Sequence, residues 1–406
     1  MIMIEVTGGV CAAKGFKASG EHCGIRKNKE KKDIALVVSE KKASAAGVYT
    51  TNLLKGAPLL VTKKHIADGY AQAIICNSGN ANTCNSDGVD IAEQTCELVS
   101  KATKIPADDV IVASTGVIGL PMSIEPFEKN IDLLVNNLSE NGGKNASKAI
   151  LTTDTFRKEI AYSFEIDGKT CTIGGMAKGS GMIHPKMATM LSFITTDAAI
   201  SPELLQKSLS DNVQDTFNMV SVDGDTSTND MVCVLANGMA GNEMITGENE
   251  AYRIFNDALK AVMSVLCKEI AKDGEGATKA LTCIAKNAKD KATAKTVAKS
   301  VICSNLFKAA MFGEDANWGR ALCAVGYSGA DIDINKVDID FESRAGVVPV
   351  CRNGMALNFS EEKAKTVLSE NEITVIVNLN DGDRQAIAWG CDLTYDYVKI
   401  NGDYRT

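Results

Sequence analysis

Only three histidines occur in the chain, His22, His65 and His184, so the commonest general base is scarce. A Ser-His-Asp triad or a multi-histidine metal site needs more candidates. His22 and His65 stand in polar, lysine-containing surroundings and read as surface groups. If the chain does acid–base chemistry, the base must come from elsewhere, and a threonine can supply it. The stretch Gly174-Gly175-Met176-Ala177-Lys178-Gly179-Ser180-Gly181-Met182-Ile183 runs on through His184-Pro185-Lys186-Met187-Ala188-Thr189-Met190-Leu191. A glycine-dense, proline-containing turn thus ends on a small residue and a threonine, just before a strand. The hydroxyl of such a threonine can attack the carbonyl before it, exchanging an amide for an ester that water then cleaves. The amino terminus so released has a reference pKa of roughly 8. A useful fraction is neutral near pH 7, and one residue then holds both nucleophile and base. The same residues also read as an ordinary loop-to-strand junction.

Acyl chemistry also needs donors aimed at the oxyanion that develops. Ala113-Ser114-Thr115-Gly116-Val117-Ile118-Gly119 follows a strand and can turn sharply at Gly116. Its backbone N–H groups and the Thr115 hydroxyl are candidates, although a plain β-turn fits the same residues. The glycines of 174–181 lack the G-x-x-x-x-G-K-[ST] spacing of a phosphate loop. They predict positive φ and close backbone approach at a crowded site.

Elements that could position these groups alternate along the chain. β-Branched runs bounded by Gly, Asn or Asp predict strands at 33–38, 47–51, 73–76, 109–113, 159–166 and 170–173. Beyond Thr189 they recur at 190–195, 231–235, 281–284, 337–341, 373–379 and 386–389. Helices are predicted at 90–103, 124–138, 202–215, 251–272 and 292–305. In the fourth of these, Phe255, Leu259, Val262, Leu266 and Ile270 recur at helical spacing, so one face is buried. Ser201-Pro202-Glu203 opens the third with a cap, a first-turn proline and an acid. The mixture predicts sheets layered with helices, an α/β (mixed α+β) chain, and leaves the topology open.

The chain as a whole excludes several classes. It has 406 residues, a formal charge of −8, 45% hydrophobic and 23% charged residues. That acidity argues against a general nucleic-acid or anionic-membrane partner. The basic run Arg26-Lys27-Asn28-Lys29-Glu30-Lys31-Lys32 reads as a solvated loop. Thirteen cysteines form no CxxC pair or zinc-type cluster, and most sit in apolar runs such as Val232-Cys233-Val234. A reducing compartment is expected. With no signal-peptide pattern and no apolar run of membrane length, a cytoplasmic protein is predicted.

Several motifs, in order, resemble the ornithine acetyltransferase family. They are Asn77-Ser78-Gly79-Asn80-Ala81-Asn82, Ser114-Thr115-Gly116, Leu151-Thr152-Thr153-Asp154-Thr155 and the segment from Gly174 to Leu191. Val222-Asp223-Gly224-Asp225-Thr226-Ser227-Thr228-Asn229-Asp230 and Gly274-Glu275-Gly276-Ala277-Thr278-Lys279 continue the likeness. It closes with Gly313-Glu314-Asp315-Ala316-Asn317-Trp318-Gly319-Arg320 and the tail from Cys391 to Thr406. Arg157 and Ala316 stand where the family often has proline.

The resemblance implies self-cleavage between Ala188 and Thr189, giving an α chain of 1–188 and a β chain of 189–406 that stay together as an α2β2 assembly. Its fold would stack two sheets between helical layers, superficially like the N-terminal nucleophile hydrolases. Thr189 matches the family's nucleophile, with its own α-amine as base, and Thr115 and Gly116 match the oxyanion-stabilising pair. Thr152, Lys178, Thr189, Glu275, Asn401 and Thr406 match substrate-binding positions. The implied reaction moves acetyl from N2-acetyl-L-ornithine to L-glutamate in arginine biosynthesis, by a ping-pong route through an acetyl-Thr189 ester. No cofactor or metal is implied, though some members also take acetyl-CoA as co-substrate. A self-processing amidohydrolase or aminopeptidase remains an alternative, as does a non-catalytic binding protein on the same architecture.

Overall fold

The computed structural model describes residues 2–184 and 190–402. Ala188, Thr189 and Thr406 therefore lie outside the described residues. In chain order the first strands are β1 (Ile4–Glu5), β2 (Phe16–Glu21), β3 (Ile34–Tyr49), β4 (Tyr70–Asn80) and β5 (Val110–Val117). They are followed by β6 (Lys158–Ile166), β7 (Lys169–Lys178), β8 (Leu191–Thr196), β9 (Val220–Ser221) and β10 (Met231–Ala236). The remainder are β11 (Ala280–Ala288), β12 (Asp338–Ser343), β13 (Gly346–Arg352), β14 (Met355–Ala356), β15 (Glu372–Asn378) and β16 (Arg384–Cys391). The helices are α1 (Ala57–His65), α2 (Gly88–Thr103), α3 (Glu125–Asn136), α4 (Gly143–Ala149), α5 (Pro202–Val213) and α6 (Glu250–Lys272). They continue with α7 (Lys291–Cys303), α8 (Asn305–Phe312), α9 (Trp318–Gly326), α10 (Glu361–Leu368) and α11 (Tyr395–Gly402).

The strands form two mixed sheets. One runs β1-β6-β7-β8-β10-β3-β4-β5, with β2 also on β3; the other runs β14-β13-β12-β15-β11-β16-β9. The expected mixed α/β layering of two sheets with helices is what the chain adopts. Strand β10, Met231-Val232-Cys233-Val234-Leu235-Ala236, is buried along its whole length, as a strand covered on both faces must be. Its odd residues join a core with Phe193, Ala146 and Ala149, while its even residues join the larger core built on α5 and α6. Helix α6 packs against both sheets. Asn249 caps its start by accepting the Tyr252 N–H, and its buried face carries the predicted Phe255, Leu259, Val262, Leu266 and Ile270.

Three expectations need correction. His65 is buried, its Nδ1 against the Val110 carbonyl and its Nε2 against Glu93; it lies on the face of α1 that carries Leu59, Val61 and Thr62 inward, while its neighbours Lys63 and Lys64 stay exposed. Arg26 does not belong to a purely solvated loop, because its guanidinium crosses to the Leu151 and Thr152 carbonyls. The strands predicted at 33–38 and 47–51 are one strand, β3, with an irregular register between Val38 and Ala43. Among the described residues no helix is long and apolar enough to cross a membrane.

Candidate active site

The register of the first sheet gathers the candidate residues. Lys178 ends β7 and pairs with Leu191 at the start of β8, and Leu191 pairs with Met231 at the start of β10. Residues 178, 190–191 and 230–231 therefore share one end of three neighbouring strands. The last residues of β5, Thr115, Gly116 and Val117, border the same cleft. Thr152, Gly181, Ser227, Asp230, Glu275 and Asn401 complete the lining used below. Six sequence-predicted residues, Thr115, Gly116, Thr152, Lys178, Glu275 and Asn401, thus meet in one place. The predicted nucleophile Thr189 lies outside the described residues, but Met190, bonded directly to it, is in the cleft wall.

Each candidate is held by identifiable forces. Gly116 adopts φ +135° and a Cβ there would lie 2.3 Å from the Gly79 carbonyl carbon, so only glycine allows this crossing of β4 and β5. Asn229 braces the approach from β10: its side-chain N–H groups donate to the carbonyls of Ala81 (2.6 Å) and Ser114 (3.0 Å). Its Oδ1 accepts from the hydroxyls of Thr83 and Thr228, each at 2.6 Å. The Thr152 segment is clamped by Arg26, whose two terminal nitrogens donate to the Leu151 carbonyl at 2.9 Å and the Thr152 carbonyl at 3.1 Å. The Lys178 ammonium donates to the Thr115 hydroxyl at 3.4 Å. On the far wall Asn401 of α11 donates to Glu275 Oε2 at 2.8 Å.

The glycines of 174–181 depart from expectation in a useful way. None takes positive φ; Met182 does, at +56°. Their role is close approach. A Cβ on Gly181 would sit 2.3 Å from the Glu275 carboxylate, and one on Gly174 would sit 2.1 Å from the Gly9 carbonyl oxygen.

Behind the lining lies a buried charge cluster that sequence reasoning did not single out. Lys158 Nζ bonds Asp154 Oδ1 at 2.7 Å and Asp273 Oδ2 at 2.5 Å, all three groups being almost wholly buried. Asp154 also accepts the backbone N–H of Gly179 at 2.7 Å and of Thr152 at 2.9 Å. Asp273 accepts the Thr155 N–H, and its carbonyl accepts the Ser180 hydroxyl. One lysine thus fastens the 152–155, 178–181 and 273–275 segments together. Burial alone would raise the Asp154 pKa, but the Lys158 and Lys178 ammonium groups outweigh it and hold it at about 2. Asp230 shows the opposite balance: burial pushes it well above the usual carboxylate range, against the pull of the Ser227 and Thr50 hydroxyls and Lys178.

His184 is the histidine nearest the candidate nucleophile in sequence. Its Nδ1 lies 3.0 Å from Ser221 Oγ and 3.6 Å from Cys303 Sγ. Among the described residues no group of His, Cys, Asp and Glu gathers as metal ligands would. The cleft therefore offers hydroxyl, amide, ammonium and carboxylate groups, a set suited to binding small zwitterions and to acyl transfer.

Comparisons with known proteins agree with that chemistry. The ArgJ family model matches residues 17–406. A protein called arginine biosynthesis bifunctional protein ArgJ, from Caldanaerobacter subterraneus subsp. tengcongensis, is 50% identical over 394 residues, 97% of each chain. ArgJ 1 of Clostridium acetobutylicum, of the same description, is 51% identical over 392 residues, 96% of each chain. Among solved structures, the arginine biosynthesis bifunctional protein argJ of Bacillus halodurans is 45% identical with a TM-score of 0.50. It is covered whole by 53% of this chain.

Proposed function

The chain belongs to the ArgJ family, and from that premise we propose that it moves acetyl from N2-acetyl-L-ornithine to L-glutamate in arginine biosynthesis. The observation that carries the reading is the meeting of Thr115, Gly116, Thr152, Lys178, Glu275 and Asn401 in a single cleft whose wall includes Met190. In this reading the chain first cuts itself between Ala188 and Thr189, yielding fragments 1–188 and 189–406. The share of this chain that the Bacillus halodurans structure matches, 53%, is close to that of the second fragment and supports the cut.

The chemistry follows from the residues. The Thr189 hydroxyl attacks the acetyl carbonyl of acetylornithine, and its proton passes to the neighbouring α-amine. Negative charge on the carbonyl oxygen is met by the Thr115 hydroxyl and the Gly116 N–H, donors set in place before reaction. The intermediate collapses, the C–N bond breaks, and ornithine leaves with the proton from the α-amine. The acetyl ester on Thr189 then meets the amino group of glutamate, and the same steps run in reverse. Lys178 is suited to the α-carboxylate that both amino acids carry. Glu275, fixed by Asn401, is suited to the distal ammonium of ornithine. A largely buried cleft limits the access of water to the ester, so transfer outruns hydrolysis.

The processed chains would pair as an α2β2 assembly in the cytoplasm, without a bound cofactor, and acetyl-CoA would serve as a second acetyl donor. The test is to incubate purified protein with acetylornithine, with and without glutamate, and to quantify ornithine, N-acetylglutamate and acetate. Glutamate-dependent N-acetylglutamate formation is expected. Free acetate at a rate indifferent to glutamate would make the protein an amidohydrolase instead.

A further inference from the structure

One hydroxyl in the cleft has its donor direction decided by a neighbouring cation. Lys178 is 8% exposed and Thr115 9%, and both line the cleft. The Lys178 ammonium forms no ion pair among the described residues, and its one hydrogen bond there goes to the Thr115 hydroxyl at 3.4 Å. Asp154, whose carboxyl the Lys178 charge helps to hold low, is bonded by Lys158 instead. The contact follows no strand ladder: β8, β10, β3 and β4 stand between β7 and β5 in the sheet, so it spans the cleft. An ammonium has three donors and no acceptor. The Thr115 oxygen must therefore accept, and its single hydrogen is turned away from Lys178. That hydrogen meets no acceptor among the described residues. Thr115 thus holds out a hydrogen for a bound molecule, with a positive charge behind its oxygen.

We propose that Lys178 is a positioning residue for Thr115: its ammonium fixes the Thr115 hydroxyl as a donor and strengthens that donor for the oxyanion of acetyl transfer. The inference rests on the acetyl-transfer reading given above and adds a second task to Lys178 besides the substrate carboxylate. Three N–H donors on one ammonium suffice for both tasks. Orientation settled before reaction costs nothing when the oxyanion forms. A cation against the hydroxyl oxygen draws electrons from the O–H bond, and hydrogen bonds assisted by charge are the stronger ones. The two tasks separate in kinetics. Carboxylate binding lowers KM, whereas a better oxyanion donor acts only in the transition state and raises kcat.

The experiment is a double-mutant cycle on acetyl transfer from acetylornithine to glutamate. Wild type, Lys178→Met, Thr115→Val and the pair are each checked by intact mass and thermal melt, then read for kcat and KM. Methionine matches lysine in length and removes a buried charge that has no ion-pair partner, so Lys178→Met is expected to fold. Thr115→Val, without the donor, should lose about 100-fold in kcat. Lys178→Met should lose about tenfold in kcat, separate from any rise in KM. The double variant should be no slower than Thr115→Val, because the lysine then has nothing left to orient. In a Thr115→Ser background, which restores the hydroxyl, removing the lysine should again cost about tenfold. A rise in KM with kcat intact would leave Lys178 a carboxylate binder only and overturn the proposal. Losses that multiply in the double variant would overturn it as well. A folded Lys178→Met or Thr115→Val that stays uncut would place the pair in the cleavage step and overturn it too. If Lys178→Met does not fold, Lys178→Gln is read by the same criteria. Wild type that makes no N-acetylglutamate would be a failure of the acetyl-transfer reading itself, distinguishable from all of these.

Discussion

The α-carbon of Gly181 faces the Glu275 carboxylate so closely that a methyl group on it would lie 2.3 Å from Oε2. Gly181→Ala must therefore push Glu275 away and break its 2.8 Å bond from Asn401. Because Gly181 has an ordinary φ, the backbone itself tolerates alanine. The expected result is a KM for acetylornithine raised by about tenfold, roughly 1.4 kcal/mol of binding, with a melting temperature close to wild type. Steady-state kinetics and a thermal melt check both halves.

Gly116 differs, because both its φ of +135° and the backbone of Gly79 exclude a side chain. Gly116→Ala should move the N–H that faces the oxyanion. The loss of a preorganised donor costs about 100- to 1000-fold in kcat, and KM should change little. A variant with near-normal kcat would remove Gly116 from the oxyanion site.

Lys158→Met leaves two buried carboxylates without their shared cation. Breaking a buried pair costs about 3–5 kcal/mol, measurable by denaturant unfolding, and kcat/KM should fall because three cleft segments lose their common anchor. The pH dependence has a definite sign. The folded Asp154 pKa, about 2, lies below its usual 3.8. Its contribution to stability is therefore complete above the unfolded value and lost as pH falls through the folded one. The stability lost in Lys158→Met should therefore be largest above about pH 4 and shrink as pH falls toward about 2, where wild type loses the same contribution.

How much of this was legible in the sequence differs by element. Helix α6 was plain because Phe255, Leu259, Val262, Leu266 and Ile270 share one face over a long run. Strand β3 read as two strands because Glu40, Lys41 and Lys42 interrupt its apolar pattern; they are exposed at the irregularity, where Lys42 pairs with Asp109. Helices α8 and α9 went unseen, being too short for a periodic face to declare itself. The cleft residues were legible through motif resemblance, since Lys178 and Glu275 taken singly look like solvated charge. The Asp154–Lys158–Asp273 cluster was not, because Asp273 lies 115 positions from Lys158 and only folding joins them. Asp230 offered one signal, an acidic residue directly before a wholly apolar strand.

The claim on which the rest depends is the severing of the Ala188–Thr189 bond by the side chain that later carries the acetyl group. Intact mass spectrometry of purified wild type beside Thr189→Ala addresses it most directly. The account predicts two fragments from wild type, the larger beginning at Thr189, and a single uncut, inactive chain from the variant. Active wild type of full-length mass, or a Thr189→Ala protein that still turns over, would contradict it.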